Sequence, residues 1–114
     1  MKTIFQTIMF TVLMCMVCTK SIAHDIEAKN DDGVTIYYVW INNNTELAVS
    51  FKGSEVYGSN AYSGNVVIPS SVTYNGSTYS VTKIGGGAFF GCRWLTSVTI
   101  PNSVKRIENN TFYF

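Results

Sequence analysis

The glycine-rich stretch KIGGGAFFGC, residues 83–92, is the part of the sequence whose composition most suggests chemistry. Phosphate-binding loops use glycines where backbone N–H groups approach an anion, and the Walker type then requires Lys and Ser or Thr after the last glycine. Here Gly91 is followed by Cys92, and Phe90 stands where the dinucleotide-binding fingerprint requires a glycine. Both motifs also lead into a helix, whereas this stretch leads into the strand-like LTSVTI. The stretch is therefore not a nucleotide site.

Other reactive side chains are too sparse to assemble a catalytic site. His24 is the single histidine, so no Ser–His or Cys–His couple with a well-placed base is available. An acidic cluster, Asp25, Glu27, Asp31 and Asp32, lacks the spacing of an EF-hand loop, and a solvated leader explains it more simply. We therefore expect a non-catalytic protein without a metal or cofactor.

The N-terminus has the pattern of a secretory signal peptide. Lys2 precedes an apolar stretch at residues 4–18, and small residues, Ser21 and Ala23, stand at the positions that signal peptidase recognises. The apolar stretch is shorter than the roughly 20 residues that a membrane-spanning helix needs. The sequence predicts a signal peptide at residues 1–23, cleavage after Ala23, and a secreted or cell-surface protein with no membrane span after cleavage.

Cleavage would also change the cysteine count and the charge. Cys15 and Cys18 would leave with the signal peptide, so Cys92 would remain alone, and a small buried side chain is its expected role. The eight basic residues would lose Lys2 and Lys20, while all seven acidic residues stay. A nearly neutral chain without a block of positive charge is not expected to bind nucleic acid.

The mature sequence contains two hairpin patterns. Residues 24–33 are polar and predict a flexible leader, whereas residues 34–41 and 46–52 are strand-like and flank a turn-forming NNNT. We assign residues 34–66 to an N-terminal β cap. The second hairpin, residues 72–81, contains Asn75-Gly76, the pair typical of a type I′ turn.

Internal similarity indicates a repeat architecture. NVVIPSSV at 65–72 matches SVTIPNSV at 97–104, and VTKIGGGAFFG at 81–91 matches VKRIENNTFYF at 104–114. The second pair of segments is closer together in the chain than the first pair, and the Asn-Gly hairpin inserted in the first copy accounts for the difference. A period in the twenties is typical of a solenoid, in which each repeat packs on its neighbours.

The stretch IGGGAFFGCRWLTSVTIPNSVKRI, residues 84–107, resembles the BspA-like leucine-rich repeats of Bacteroides-type surface proteins. The resemblance implies a mainly β fold: an N-terminal hairpin cap followed at residues 67–114 by a short solenoid of about one and a half repeats. Because the second copy has Glu108 to Asn110 where the first has Gly85 to Gly87, the glycines are not expected to be required by the unit. The expected core of the repeat comprises Ile84, Ala88, Phe89, Cys92, Leu95, Val98, Ile100, Val104 and Ile107.

Two binding functions remain open. The resemblance implies protein recognition or adhesion to an extracellular, matrix or host ligand, through Thr96, Ser97 and Thr99 on the repeat strand. The alternative is carbohydrate binding through Arg93 and Trp94, and three further aromatic residues could join them: Trp40, Tyr57 and Tyr62. Against that alternative, large aromatic residues are mostly buried, which favours packing of Trp94 against the neighbouring turn.

The incomplete second repeat predicts an exposed apolar edge at residues 111–114. Three explanations are open: the chain is a fragment of a longer repeat protein with no function of its own, it self-associates through this edge, or a partner protein covers it.

Overall fold

A computed structural model describes residues 24–52 and 62–112, which form eight strands and no helix. None of these residues therefore belongs to a helix that could cross a membrane. The strands are β1 (Ile26–Lys29), β2 (Thr35–Ile41), β3 (Glu46–Val49), β4 (Gly64–Val67), β5 (Ser71–Tyr74), β6 (Ser77–Ile84), β7 (Leu95–Thr99) and β8 (Arg106–Ile107). They form a six-stranded sheet, β1-β2-β3-β6-β5 with β8 also paired to β6, and a two-stranded sheet of β4 and β7.

The two repeat copies stack as parallel strands in the register that the sequence predicts. Asn65 pairs with Ser97 in the β4–β7 sheet, as in the match of NVVIPSSV with SVTIPNSV. Ile84 pairs with Ile107 between β6 and β8, as in the match of VTKIGGGAFFG with VKRIENNTFYF. Each repeat thus contributes one strand to each sheet, and both sheets bury side chains in a common core. The mainly β solenoid fold is confirmed.

The cap is larger than expected. The predicted hairpin of β2 and β3 is antiparallel, and β3 continues the sheet by pairing in parallel with β6. The prediction of a flexible leader at 24–33 is wrong, because β1 pairs antiparallel with β2. Ile26 is buried, and Asp25 anchors the start of the strand: its N–H donates to Tyr38 O and its carboxylate accepts the Trp40 N–H.

The inserted hairpin adopts the predicted turn. Asn75 and Gly76 have φ values of 51° and 83°, and β5 pairs antiparallel with β6 on either side of them. Trp40 from the cap packs edge-on against Tyr74 and Tyr79, with ring centroids 6.0 and 4.7 Å apart. The cap thereby packs against the insertion. The boundary that we placed between residues 66 and 67 falls inside β4, so the first repeat begins at Gly64.

Some residues of the expected repeat core are buried, and others are partly or largely exposed. Ile84, Ala88, Phe89 and Cys92 are fully buried, Leu95, Val98 and Val104 pack partly buried against the core, and Ile100 is half-buried. Ile107 is 49% exposed, so its assignment to the core is wrong. Ile84 is covered because β8 pairs beside it, whereas no strand of the described residues lies beyond β8.

Two of the three consecutive glycines, Gly85 and Gly87, have different structural roles. Gly87 has φ +76°, and its counterpart in the second copy, Asn110, keeps a positive φ of 61°. Asn is among the residues that tolerate this region, so the exchange is allowed. Gly85 is different, because its N–H donates to Val49 O at 2.8 Å and a Cβ there would lie 2.8 Å from the same oxygen. The expectation that no glycine is required therefore fails at Gly85, where the first repeat meets the cap.

The core also holds two tyrosines whose phenols are buried. Tyr62 donates to Ser50 O at 2.7 Å and accepts the Tyr37 N–H at 3.0 Å, and its ring packs against Phe89. Burial raises the pKa of Tyr62, and burial likewise raises the pKa of Tyr38, above the ordinary value of 10.0. Burial therefore favours the neutral form of both phenols in the folded protein.

Replacing Gly85 with Ala should destabilise the junction between cap and repeat. The new Cβ has to push Val49 O away, and such overpacking costs about 1–3 kcal/mol of unfolding free energy. Gly86→Ala is the matched control, because its Cβ would meet Asn109 O at a more tolerable 3.3 Å. Urea unfolding followed by tryptophan fluorescence measures both variants. Equal stabilities for the two would contradict the close approach at Gly85.

The two buried tyrosines predict a loss of stability at alkaline pH. Below about pH 10 both folded and unfolded states hold the phenolic protons, so stability is unaffected. Above it the unfolded chain releases them while the folded protein does not, and each tyrosine should lower the unfolding free energy by about 1.4 kcal/mol per pH unit. Urea unfolding across this range measures the slope. Phenolate absorbance from Tyr38 and Tyr62 in the still-folded protein would contradict the prediction.

Candidate ligand-binding face

The exposed side of the β4–β7 sheet carries a row of small, uncharged side chains. We call it the polar strand face, and it comprises Asn65, Val67, Thr96, Ser97 and Thr99, all exposed. A register irregularity at Gly64/Asn65 lets Thr96 and Ser97 both lie on this side, while Leu95 and Val98 turn towards the core. The bulge explains why the apolar residues of the repeat strand are three positions apart rather than two.

Asn65 organises the hydroxyl groups of this face. Its side-chain oxygen accepts hydrogen bonds from Thr96 Oγ1 at 2.7 Å and from Ser97 Oγ at 2.8 Å. The amide NH₂ of Asn65 makes no hydrogen bond within the described residues, so it can donate to a ligand. Asn65 was not among the residues expected at the site, although the repeat alignment that pairs it with Ser97 could have identified it.

Trp94 lies beside the polar strand face with its side chain in solvent. It is 73% exposed, so the expectation that it packs against the neighbouring turn is wrong. Cys92 is fully buried and Leu95 packs on the core, whereas the two residues between them, Arg93 and Trp94, project outward. The Trp94 carbonyl accepts the Gly64 N–H at 2.8 Å, which fixes the backbone that carries the indole. Arg93 is exposed next to it.

The other aromatic residues considered for a sugar platform do not join Trp94. Tyr62 is 1% exposed and belongs to the core. Trp40 contacts Tyr74 and Tyr79 on the inserted hairpin, and Tyr57 lies outside the described residues. Among the residues that the structure describes, Arg93 and Trp94 remain from that set as an exposed pair.

A groove borders the polar strand face at the C-terminal edge. It has a volume of about 330 Å³ and is lined by Leu95, Thr96, Ser97, Val98 and Phe112. Phe112 is 39% exposed and stacks on Phe89, its counterpart in the first copy, at 5.2 Å with nearly parallel rings. Tyr113 and Phe114, which complete the predicted apolar edge, lie outside the described residues. No cluster of metal-ligating side chains occurs in residues 24–52 or 62–112.

Comparison with known proteins agrees with this architecture. Residues 57–114 match the family model described as the BspA type leucine-rich repeat region (6 copies). No curated protein matches the chain.

Two solved structures are similar to this chain. A leucine-rich repeat protein from Bacteroides ovatus is 32% identical to this chain, with a TM-score of 0.56. The match covers 68% of this chain and 19% of the Bacteroides ovatus protein. A leucine-rich cell surface protein from Faecalibacterium prausnitzii is 26% identical to this chain, with a TM-score of 0.54. The match covers 78% of this chain and 21% of the Faecalibacterium prausnitzii protein. The chain thus spans about a fifth of the length of these two proteins. The family match covers just over half of the chain and coincides with the stacked strands, so the chain belongs to the BspA-type leucine-rich repeat family.

Proposed function

We propose that this chain is a secreted or cell-surface recognition module that binds an extracellular protein through its polar strand face and catalyses no reaction. The observation that carries the proposal is the arrangement around Asn65, where one amide on β4 holds two neighbouring hydroxyl groups of the parallel strand β7 in place. Side chains fixed before binding lose little conformational entropy when a ligand arrives. Such a face suits recognition of a complementary protein surface, in an adhesive or matrix-binding role.

The nature of the strand surface supports binding rather than chemistry. The five residues of the polar strand face carry no charge and no strong nucleophile. Elsewhere, the Cys92 thiol is fully buried, and His24 contacts Glu27 and the ring of Tyr37 rather than a hydroxyl or thiol nucleophile. The similarity to a cell surface protein from Faecalibacterium prausnitzii supports the extracellular location.

A specific observation also favours the carbohydrate alternative. An indole that is 73% exposed and whose backbone is fixed offers a flat apolar surface on which a sugar ring can stack. The Asn65 amide and the Thr96 hydroxyl lie on the paired strands β4 and β7 that adjoin Trp94, and both groups can form hydrogen bonds with sugar hydroxyls. Trp and Arg are also frequent in the centres of protein interfaces, so Trp94 and Arg93 suit either ligand.

Variants of the face should separate the two ligand classes. For a protein ligand, Thr96→Val/Thr99→Val removes two hydroxyls at nearly constant shape and should weaken binding about 30-fold, since each lost hydrogen bond is worth about 1 kcal/mol. For a glycan, Trp94→Ala should abolish the signal on a glycan array because the stacking surface is gone. Surface plasmon resonance with extracellular matrix proteins and a glycan array provide the two measurements.

Thr73→Val/Thr78→Val is the matched control, because this exposed hydroxyl pair lies on the inserted hairpin, outside the polar strand face. It should leave binding unchanged. Full binding by both the Thr96/Thr99 variant and the Trp94 variant would overturn the assignment of this face.

Export should yield a chain that begins at His24. Expression with residues 1–23 in a bacterial host and intact-mass measurement of the exported protein test this expectation. A mass that still includes the segment from Met1 to Ala23 would contradict cleavage after Ala23 and would instead support retention in the membrane.

A further inference from the structure

Two groups of charged residues lie outside the polar strand face. Four of the seven acidic residues lie between positions 25 and 32, and two of them, Asp31 and Asp32, form an exposed pair in the turn between β1 and β2. We call this pair the acidic turn. Neither carboxylate makes an ion pair or hydrogen bond within the described residues, so both remain available to a partner.

The acidic turn is held in one conformation by its neighbour Asn30. The Asn30 side-chain oxygen accepts the N–H groups of Asp32 and Val34 at 3.0 and 2.9 Å, and its NH₂ donates to Val67 O at 2.9 Å. These bonds tie the turn to the first repeat. A fixed turn presents its charges at a low entropic cost of binding.

The opposite charge lies in a groove on the outer side of the large sheet. We call it the basic groove; its volume is about 370 Å³, and its charged lining residues are Lys83, Lys105, Arg106 and Glu46. Lys83 and Arg106 share one oxygen of Glu108, at 3.3 and 2.6 Å, while the Glu46 carboxylate accepts hydrogen bonds from Asn42 and from Thr82. Lys105 is exposed and has no ion pair in the described part of the chain. The basic groove thus has an excess positive charge that can bind a carboxylate of another molecule.

The acidic turn cannot reach the basic groove of its own molecule. The turn precedes Thr35 at one end of β2, and the groove lies beside Ile41 at the other end. The full length of this strand separates the two by about 20 Å. Only a second molecule can bring the two surfaces together.

We propose that the acidic turn of one copy of this chain docks into the basic groove of another. The contact joins two different surfaces, so it is heterologous and leaves a free acidic turn at one end and a free basic groove at the other. Repeated contacts would line up copies head to tail. The basic groove shares no lining residue with the polar strand face, and this association does not rest on the function proposed for that face.

Charge reversal tests the contact. Lys105→Glu and, separately, Asp31→Lys/Asp32→Lys should each weaken self-association at least about tenfold at low ionic strength, because each places like charges opposite one another. An equimolar mixture of these two variants should associate again, since the unmodified turn of Lys105→Glu meets the unmodified groove of the other variant and the reversed turn meets the reversed groove. Sedimentation velocity over a concentration series measures the three samples, and association of the unmodified protein should weaken as salt is raised.

Lys52→Glu is the control, because it makes the same charge change at an exposed lysine outside the groove. It should associate like the unmodified protein. A monodisperse monomer at all concentrations would overturn the proposal, and so would association that persists in Lys105→Glu but is lost in Phe112→Ser, which would place the contact at the C-terminal edge. Binding of a sulfated oligosaccharide by a monomer, lost in Lys105→Glu, would instead make the groove a glycan site.

Discussion

The parallel pairing of β3 with β6 is the contact on which the rest of the molecule depends. A repeat strand has two hydrogen-bonding edges and is stabilised by the neighbouring strands that pair with them. On the N-terminal side the cap supplies that neighbour, through the ladder that ends with Gly85 N–H and Val49 O. Since Val49 and Ile84 are both fully buried at this junction, the same pairing closes the core. Without it, neither the inserted hairpin nor the two stacked copies would have a template.

The sequence predicted the repeat register well because the residue pattern that determines the register occurs in both copies of the repeat. Each internal match becomes a strand pairing directly, since equivalent residues of stacked repeats lie side by side. The turn at Asn75-Gly76 was equally predictable, because few residues adopt positive φ at both positions. The strand β1 was missed for the opposite reason: its polar sequence forms a strand only because β2 offers an edge, and that is a tertiary property.

The candidate site was predictable in part. Thr96, Ser97 and Thr99 lie on the exposed face because the repeat pattern fixes which residues face the core. The exposure of Trp94 was not predicted, because the general tendency of aromatic residues to be buried does not determine the exposure of one position between the buried Cys92 and the core-packed Leu95. Ile107 was wrongly assigned to the core, although its position in the repeat pattern is that of a core residue. Its burial depends on a neighbouring strand.

The two surfaces of this fold differ in the physics of recognition. The polar strand face lies on the β4–β7 sheet, whereas the basic groove is lined mainly by residues in and next to strands of the large sheet. Hydroxyl and amide groups act at hydrogen-bonding distance and require a partner of matching geometry. Charges such as those of Lys105 and Asp32 act over about 10 Å and depend on salt. A surface of hydroxyl and amide groups therefore selects a ligand by matching geometry, whereas a charged surface attracts a partner over a longer distance and in a salt-dependent way.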